Sequence, residues 1–325
     1  MGVLESLSAG RRVSIEVVPP SRGGDIEAIK GAVGLLMPHD PAFVSVTDHP
    51  AGRAWAESSD GPSRVALRTK PGTLGTAVAI RDAFRVQTVP HLVCGTADRL
   101  AMEDLLIDLH YAGFADLFVV RGDDRFSPAA LRPGATVASR AADSYAYAID
   151  LVAHIAALNA GRYTPPAEGR PTSFRVGVAG YPQKHYAAPN LETDIARLAE
   201  KVRAGASYIV TQMVFEAGAY KELLKRLREG GIDVPVIPGI KPLLRASAVD
   251  SIPRTFFVDL PQALVSALNE ARSPAEERAA GIAWATKLAG DLTDAGAPCL
   301  HFFTMGSGAA TKAVLDAFFG TKGKQ

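Results

Sequence analysis

Three things are scarce in this chain: cysteine, net charge and long apolar runs. Only two cysteines occur among 325 residues, Cys94 and Cys299, so the sequence predicts neither a disulfide framework nor a zinc cluster. The formal net charge is +1, which gives no indication of a nucleic-acid partner. No run approaches the roughly 20 apolar residues of a membrane span, and the first twelve residues lack the apolar core of a signal peptide. We therefore expect a cytoplasmic protein without a membrane or nucleic-acid partner.

The composition is that of an ordinary globular protein. Hydrophobic residues make up 47% of the chain and charged residues 21%, so the chain can bury a sizeable core. Its length suits one α/β barrel with extensions, since such a barrel typically needs about 250 residues. We expect a single catalytic domain over residues 1–325, in which residues 321–325 form a frayed tail.

Short β-rich runs alternate with longer helical patterns from one end of the chain to the other. This alternation is typical of a parallel sheet built from βα units. Eight such runs in series favour a closed barrel, so the predicted fold class is α/β, a (βα)8 TIM barrel with extra C-terminal helices. The predicted strands are Val13–Val18, Phe43–Thr47, Thr88–Val93, Leu117–Arg121, Arg175–Gly180, Tyr208–Gln212, Val234–Pro238 and Leu300–Thr304.

Apolar residues at a 3.6-residue spacing predict helices between these strands. Beyond the seventh strand, a proline in the first turn marks each of two further helices. Two stretches are predicted to be irregular, the polar segment Asp48–Lys70 and the breaker-rich loop Gly161–Thr172. The predicted helices include Ile26–Leu36, Ala101–Ala112, Tyr145–Asn159, Leu191–Ala204, Tyr220–Glu229, Pro261–Ala271 and Pro274–Ala295.

Glu16 is a carboxylate within an apolar, β-branched run that Pro19 and Pro20 end. Strands buried on both faces seldom carry a carboxylate without a purpose. At the carboxyl end of a strand, inside an apolar mouth, desolvation is expected to raise the pKa of Glu16 and make it a proton donor near neutral pH. The alternative is a structural ion pair with a neighbouring Arg or Lys.

Polar residues recur at the carboxyl ends of six predicted strands, where barrel enzymes build their active sites. Polar residues at the ends of six strands are hard to explain by core packing. They favour a ligand site instead. Arg121 offers a fork of donors and Gly122 allows close backbone approach, although a strand-end turn with an Arg–Asp pair is the alternative. The His and carboxylate spacing resembles no zinc motif, and we predict no bound metal. The glycine-rich phosphate loops are absent as well, so a nucleotide must bind in another geometry. The strand ends carry Glu16, Thr47, His91, Arg121, Tyr181 and Gln212.

Eight blocks of sequence, in order along nearly the whole chain, carry a resemblance to one family. The blocks are Ser14–Pro20, Phe43–Thr47, Pro90–Cys94, Arg121–Asp123, Gly177–Pro182, Ile209–Gln212, Ile237–Ile240 and His301–Thr304. In these blocks the chain resembles methylenetetrahydrofolate reductase of the bacterial, catalytic-barrel type. The resemblance implies a (βα)8 barrel that holds FAD and takes a hydride from NADH or NADPH. It also implies that the hydride passes to 5,10-methylenetetrahydrofolate, giving 5-methyltetrahydrofolate by ping-pong kinetics.

The resemblance assigns roles to particular residues. Glu16 matches the family's general acid, Asp123 the carboxylate between flavin and pterin, and Gln212 a contact to the substrate in the shared pocket. Thr47 matches a nicotinamide contact. The positions matching flavin contacts are His91, Arg121, Gly122, Asp123, Tyr147, Ala148, Tyr181, His185, Asp194 and Lys201.

Other functions are compatible with the same barrel. A flavin-independent reductase would move the hydride directly from the nicotinamide to the folate, and its purified protein would be colourless. A lyase or aldolase would need a Schiff-base lysine or a metal, for which no strand end offers a candidate. A non-catalytic partner protein would gain nothing from a buried acid. The faces of helices such as Leu191–Ala204 are compatible with a homo-oligomer.

Overall fold

The computed structural model describes residues 2–10, 12–49, 52–56, 61, 63–67, 69–94, 97–122, 144–164 and 167–322. Eight parallel strands close into a barrel in the order β1-β12-β11-β10-β9-β6-β5-β2, which confirms the predicted α/β barrel. The barrel strands are β1 (Val13–Val17), β2 (Val44–Val46), β5 (Thr88–Val93), β6 (Asp116–Val120), β9 (Arg175–Gly180), β10 (Ala206–Met213), β11 (Val236–Ile240) and β12 (Leu300–Phe303).

Helices surround the barrel, and two extra helices, α8 and α9, lie between β11 and the long helix α10. None of the described helices is long and apolar enough to cross a membrane. The helices are α1 (Val3–Ser8), α2 (Ile26–Gly34), α3 (Thr73–Phe84), α4 (Arg99–Tyr111), α5 (Ala148–Asn159), α6 (Leu191–Arg203), α7 (Ala217–Glu229), α8 (Ala248–Phe256), α9 (Gln262–Asn269), α10 (Pro274–Asp294) and α11 (Gly308–Lys322), with a 3-10 turn at Met37–His39.

Both segments predicted to be irregular contain a small antiparallel hairpin, so those two predictions were wrong in part. The first hairpin pairs β3 (Gly52–Ala56) with β4 (Ser63–Leu67), and the second pairs β7 (Arg162–Tyr163) with β8 (Ala167–Glu168). Helix α11 extends to Lys322, two residues into the predicted tail, whose fraying stays a prediction. Residues 323–325 lie outside the described residues.

The barrel strands are buried on both faces, as expected for a parallel sheet covered by helices. Alternate residues of β1, such as Ile15 and Val17, pack outward into the main core between the sheet and the helices. A second apolar cluster includes Phe43, Phe118 and Tyr208. Helix α1 packs Val3, Leu4 and Leu7 against this second cluster.

A hydrogen-bonded network lies at the amino ends of β6 and β9. The Arg175 guanidinium donates to both carboxylate oxygens of Asp116, at 2.8 Å each. Gln87 donates to the same carboxylate at 2.9 Å, and Glu5 of α1 lies 3.3 Å from Arg175. Asp116 is fully buried, and this bidentate pairing is the geometry that compensates best for burying a charge.

Candidate active site

A cavity of about 250 Å³ opens at the carboxyl ends of the barrel strands, and we call it the mouth cavity. Five of the predicted site residues line it, each from the end of a different strand. Because side chains at the carboxyl ends of parallel strands converge on one face of a barrel, this convergence is the expected geometry for an active site. The five residues are Glu16, Thr47, His91, Tyr181 and Gln212.

The Glu16 carboxylate faces two histidines, His91 of β5 and His301 of the neighbouring strand β12. Its Oε2 lies 3.7 Å from Nε2 of His91 and 3.8 Å from Nε2 of His301, and its side chain is 13% exposed. The backbone carbonyl of Glu16 accepts a 2.6 Å hydrogen bond from the Thr304 hydroxyl. The strand therefore fixes the glutamate at the mouth, whereas its carboxylate makes only long contacts to these histidines.

The predicted direction of the Glu16 pKa shift was wrong. Burial does raise the pKa of the carboxyl, but a side-chain hydrogen bond with His301 and electrostatic interactions with His91, His301 and His49 together lower it by more, so the net pKa lies below its usual range. Burial lowers the pKa of His91 to about 4, against a smaller opposing effect of Glu16. Glu16 is therefore a carboxylate at neutral pH, beside a neutral His91 ring.

His301 is a site residue to which the sequence reasoning assigned no role. Its ring is held by Ser14, whose hydroxyl lies 2.9 Å from Nδ1, and by Ser45, whose hydroxyl lies 3.5 Å from Nε2. The ring also stacks on Phe43 at a centroid distance of 5.6 Å. The sequence does contain a signal for this residue, since His301, like Glu16, is a polar residue within an apolar strand.

His91 and Thr47 also lie in the mouth cavity. His91 was predicted as a flavin contact, and its ring packs on Phe118 at a centroid distance of 4.7 Å. The Thr47 hydroxyl lies 2.9 Å from Nε2 of His49. Asp48 and His49 line the cavity as well, so the chain just after β2 contributes more polar groups than were predicted.

Gln212 reaches the mouth cavity from a distorted part of β10. The register between β10 and β11 shifts between Val210 and Met213, and such irregularities re-aim side chains near active sites. The side-chain oxygen of Gln212 accepts the backbone N–H of Met213 at 2.9 Å. This hydrogen bond to the oxygen fixes the orientation of the amide, so the NH2 group can donate to a ligand.

A second cavity, of about 360 Å³, lies between β6, β9 and the helices α5 and α6, and we call it the flank cavity. Seven of the predicted flavin contacts line it, and Tyr181 lines both cavities. The seven residues are Arg121, Tyr147, Ala148, Tyr181, His185, Asp194 and Lys201.

Gly122 follows β6, and its conformation requires glycine. Its φ is +79°, and a Cβ there would lie 2.4 Å from Cγ1 of Val93, so any side chain would be both strained and blocked. Asp123, the next predicted residue, lies outside the described residues, and its roles therefore stay predictions.

Three cations and two carboxylates line the flank cavity. Burial lowers the pKa of Lys201 to about 8, a shift that Asp194 opposes, and the Lys201 amine donates to the carbonyl of Ala179 at 3.1 Å. The Arg121 guanidinium lies 5.2 Å from the ring centre of Tyr147. Arg197, which was not predicted, lines the same cavity one helical turn before Lys201, a relation that the i, i+4 spacing could have revealed.

The donor set of the flank cavity suits a flat ligand that carries an anionic group. Arg121, Arg197 and Lys201 can offset phosphate charge, and the first turn of α5 lines the cavity, where helix N–H groups favour anions. Tyr147 and Tyr181 offer rings. Within the described ranges, no group of three or more His, Cys, Asp or Glu side chains is placed to hold a metal ion.

Comparisons with known proteins agree with this geometry. A family model described as methylenetetrahydrofolate reductase matches residues 4–318. A probable methylenetetrahydrofolate reductase (NADPH) of Caenorhabditis elegans is 26% identical over 94% of this chain and 42% of the relative. The 5,10-methylenetetrahydrofolate reductase of Pectobacterium carotovorum is 23% identical over 93% of this chain and 88% of the relative. The chain thus spans less than half the length of the eukaryotic relative.

Among solved structures, an uncharacterized protein from Clostridium thermocellum has the same fold. It covers 99% of this chain and all of its own, with a TM-score of 0.59 and 11% sequence identity. That protein is described as binding two copies of 5-methyl-5,6,7,8-tetrahydrofolic acid. At this identity the likeness concerns the fold alone.

Proposed function

Because the chain belongs to the methylenetetrahydrofolate reductase family, we propose that it reduces 5,10-methylenetetrahydrofolate to 5-methyltetrahydrofolate with NADH or NADPH. The observation that carries the proposal is the position of Glu16, a largely buried carboxylate that lines the mouth cavity with His91 and Gln212. The reaction consumes a hydride and a proton, and Glu16 is placed to supply the proton. Relatives named for NADH and for NADPH support a pyridine nucleotide as the hydride source.

The proton is needed at a defined atom of the substrate. The methylene carbon bridges N5 and N10, and it accepts a hydride only after the ring opens to an iminium at N5. Opening the ring places a proton on N10, and we assign its delivery to Glu16. Because a pterin that fills the mouth cavity removes the remaining water from the carboxylate, substrate binding would raise the pKa of Glu16 and favour proton uptake. The NH2 group of Gln212 would donate to the bound ring.

We further propose that the flank cavity holds FAD. Arg121, Arg197 and Lys201 would offset the charge of the diphosphate, and the rings of Tyr147 and Tyr181 would pack against flat parts of the cofactor. When bound, the flavin supplies hydride transfer between the nicotinamide and the folate. Since the mouth cavity is small, the two substrates would occupy it in turn, which is the basis for expecting ping-pong kinetics.

The test is an anaerobic assay of the purified protein with its visible absorption spectrum. We expect flavin absorption and oxidation of NADH or NADPH that depends on 5,10-methylenetetrahydrofolate, with 5-methyltetrahydrofolate identified by mass. Tetrahydrofolate without the methylene bridge is the matched control and should give no turnover. A colourless protein that still forms the product would contradict the FAD proposal and support direct hydride transfer. A flavoprotein that forms no product would contradict the proposed reaction.

A further inference from the structure

Three polar side chains form a buried hydrogen-bonded row beside helix α5. His154 of α5 lies between the other two, with its Nε2 2.6 Å from Oε2 of Glu103 and its Nδ1 hydrogen-bonded to the Tyr145 hydroxyl. The side chains of His154 and Glu103 are 11% and 3% exposed, and Tyr145 is buried as well. We call Glu103, His154 and Tyr145 the buried triad. All three lie in the part of the chain that the structure describes, and none of them lines the mouth cavity or the flank cavity.

The buried triad joins four parts of the chain through directional contacts. Because a carboxylate only accepts, the arrangement that satisfies every partner has His154 Nε2–H donating to Glu103 and the Tyr145 hydroxyl donating to Nδ1. The other carboxylate oxygen of Glu103 accepts the backbone N–H of Thr164 at 2.9 Å. The guanidinium of Arg99 lies 4.9 Å from the centre of the Tyr145 ring. The triad therefore links α4, α5 and the residue after β7 to Tyr145.

Tyr145 belongs to the segment Ser144–Tyr147, which leads into α5 and forms neither helix nor strand. The segment ends at the flank cavity, since Tyr147 and Ala148 line it. The backbone N–H of Tyr147 donates to the Asp150 carboxylate at 2.9 Å, a contact that caps the helix. A segment without the hydrogen-bond ladder of a helix or sheet opens easily unless other contacts hold it. The Tyr145 hydroxyl supplies such a contact.

Burial makes the contact of Tyr145 selective for one position of the segment. A displaced Tyr145 would leave its hydroxyl and Nδ1 of His154 without each other in a site that water does not reach. Leaving a buried donor or acceptor unpaired costs its full desolvation free energy, which exceeds the net contribution of a hydrogen bond between exposed groups. The triad therefore favours a single arrangement of the chain that enters α5.

We propose that the buried triad is a positioning device for the flank cavity, which fixes Tyr147 and the first turn of α5 in the arrangement that binds FAD. The inference rests on the proposed function for the identity of the ligand. The triad acts through the segment that it holds, so its members are positioning residues. The Tyr147 ring lies 5.2 Å from the guanidinium of Arg121, and the first turn of α5 presents N–H groups that favour an anion. A shift of the segment would displace both groups from a diphosphate.

The test is Tyr145→Phe, which removes one hydroxyl and keeps the ring in the core. A purely structural triad would lower the melting temperature and leave the affinity of the folded protein for FAD unchanged. We expect instead that the dissociation constant of FAD rises about 3- to 10-fold, the range for one hydrogen bond, because binding must restore the position of the segment. Tyr220→Phe is the matched control. It removes the hydroxyl of another buried tyrosine, which donates to the Val236 carbonyl, and it should leave the constant unchanged.

Amide hydrogen exchange of the protein without FAD gives a readout that is independent of the ligand. Peptides that cover residues 144–150 should exchange faster in Tyr145→Phe than in the wild-type protein, whereas Tyr220→Phe should not change them. An unchanged dissociation constant for FAD, or unchanged exchange of these peptides, would overturn the inference. Wild-type protein that binds no FAD would contradict the proposed function itself, and the exchange result would still decide whether the triad fixes the segment.

Discussion

Each end of the barrel holds a carboxylate, and the two carboxylates differ in how closely their partners contact them. At the amino end, Asp116 accepts two hydrogen bonds from Arg175 and one from Gln87, all within 2.9 Å. At the carboxyl end, Glu16 faces His91 and His301 at 3.7 and 3.8 Å. The first carboxylate is fixed by close partners, whereas the second retains room for a proton or a substrate atom. The contrast separates a group that stabilises the fold from a group available for chemistry.

The strongest test of this contrast is Glu16→Gln. The substitution keeps the side-chain shape and removes the acid, so kcat/KM for folate reduction should fall by about 10²–10⁴-fold, the usual contribution of a general acid. Thermal unfolding should show at most a small loss of stability, because the histidines that lower the pKa of Glu16 and favour its charged form lie 3.7 and 3.8 Å from the carboxylate. Retained activity would contradict the role of Glu16, and a large loss of stability would contradict the contrast.

The converse test is Asp116→Ala at the other end. The variant leaves the Arg175 guanidinium and the Gln87 amide without their buried acceptor. We expect the free energy of unfolding to fall by roughly 2–3 kcal/mol, below the full cost of breaking a buried pair because Arg175 is partly exposed. Activity per folded molecule should be unchanged well below the melting temperature. Asp233→Ala, at an exposed ion pair, is the control, and urea unfolding measures both.

A smaller effect is expected from Lys201→Met in the flank cavity. Loss of the cation that we propose to contact the diphosphate should raise the dissociation constant of FAD by roughly 10- to 100-fold, the range for a hydrogen bond to a charged group. Lys225→Met, an exposed lysine of α7, should leave the constant unchanged. Flavin titration of the apoprotein measures both, and equal constants for the two variants would contradict the assignment of the cavity.

The pH dependence of FAD binding follows from the same lysine. Burial lowers the pKa of Lys201 to about 8, so the free protein loses this positive charge as the pH rises through about 8. An anionic ligand favours the charged amine, and its affinity should therefore fall by up to about tenfold per pH unit between pH 8 and 9. The pKa of His185 is lowered below its ordinary value by burial, so His185 does not titrate there. Lys201→Met should abolish the dependence.

The barrel could be predicted because few other folds accommodate eight β-branched strands that are separated by amphipathic helices. The sequence reasoning missed α3 and α8, and also the terminal helices α1 and α11. A proline inside α8, Pro253, obscured that helix. Strand β11 begins and ends two residues later than predicted, and its end extends to Ile240 because Gly239 and Ile240 pair with β12. Gly239 permits that pairing, since a Cβ there would lie 2.4 Å from Phe303.

The candidate site was predictable as a set of strand ends, but its electrostatics were not. The burial of Glu16 could be predicted from the apolar residues of its own strand. The groups that lower its pKa come from elsewhere, since His301 lies on the last strand and reaches β1 through Ser14, 287 residues away. The sign of the shift depends on this register, which no local pattern contains.

The most direct test of the central claim is to follow the two half-reactions of Glu16→Gln separately by stopped-flow absorbance. Flavin reduction by NADH or NADPH requires no proton from Glu16, so its rate should remain close to that of the wild-type protein. Reoxidation of the reduced flavin by 5,10-methylenetetrahydrofolate should be lost, because the iminium no longer forms. Equal losses in both half-reactions, or reoxidation at the wild-type rate, would contradict Glu16 as the proton donor to the folate.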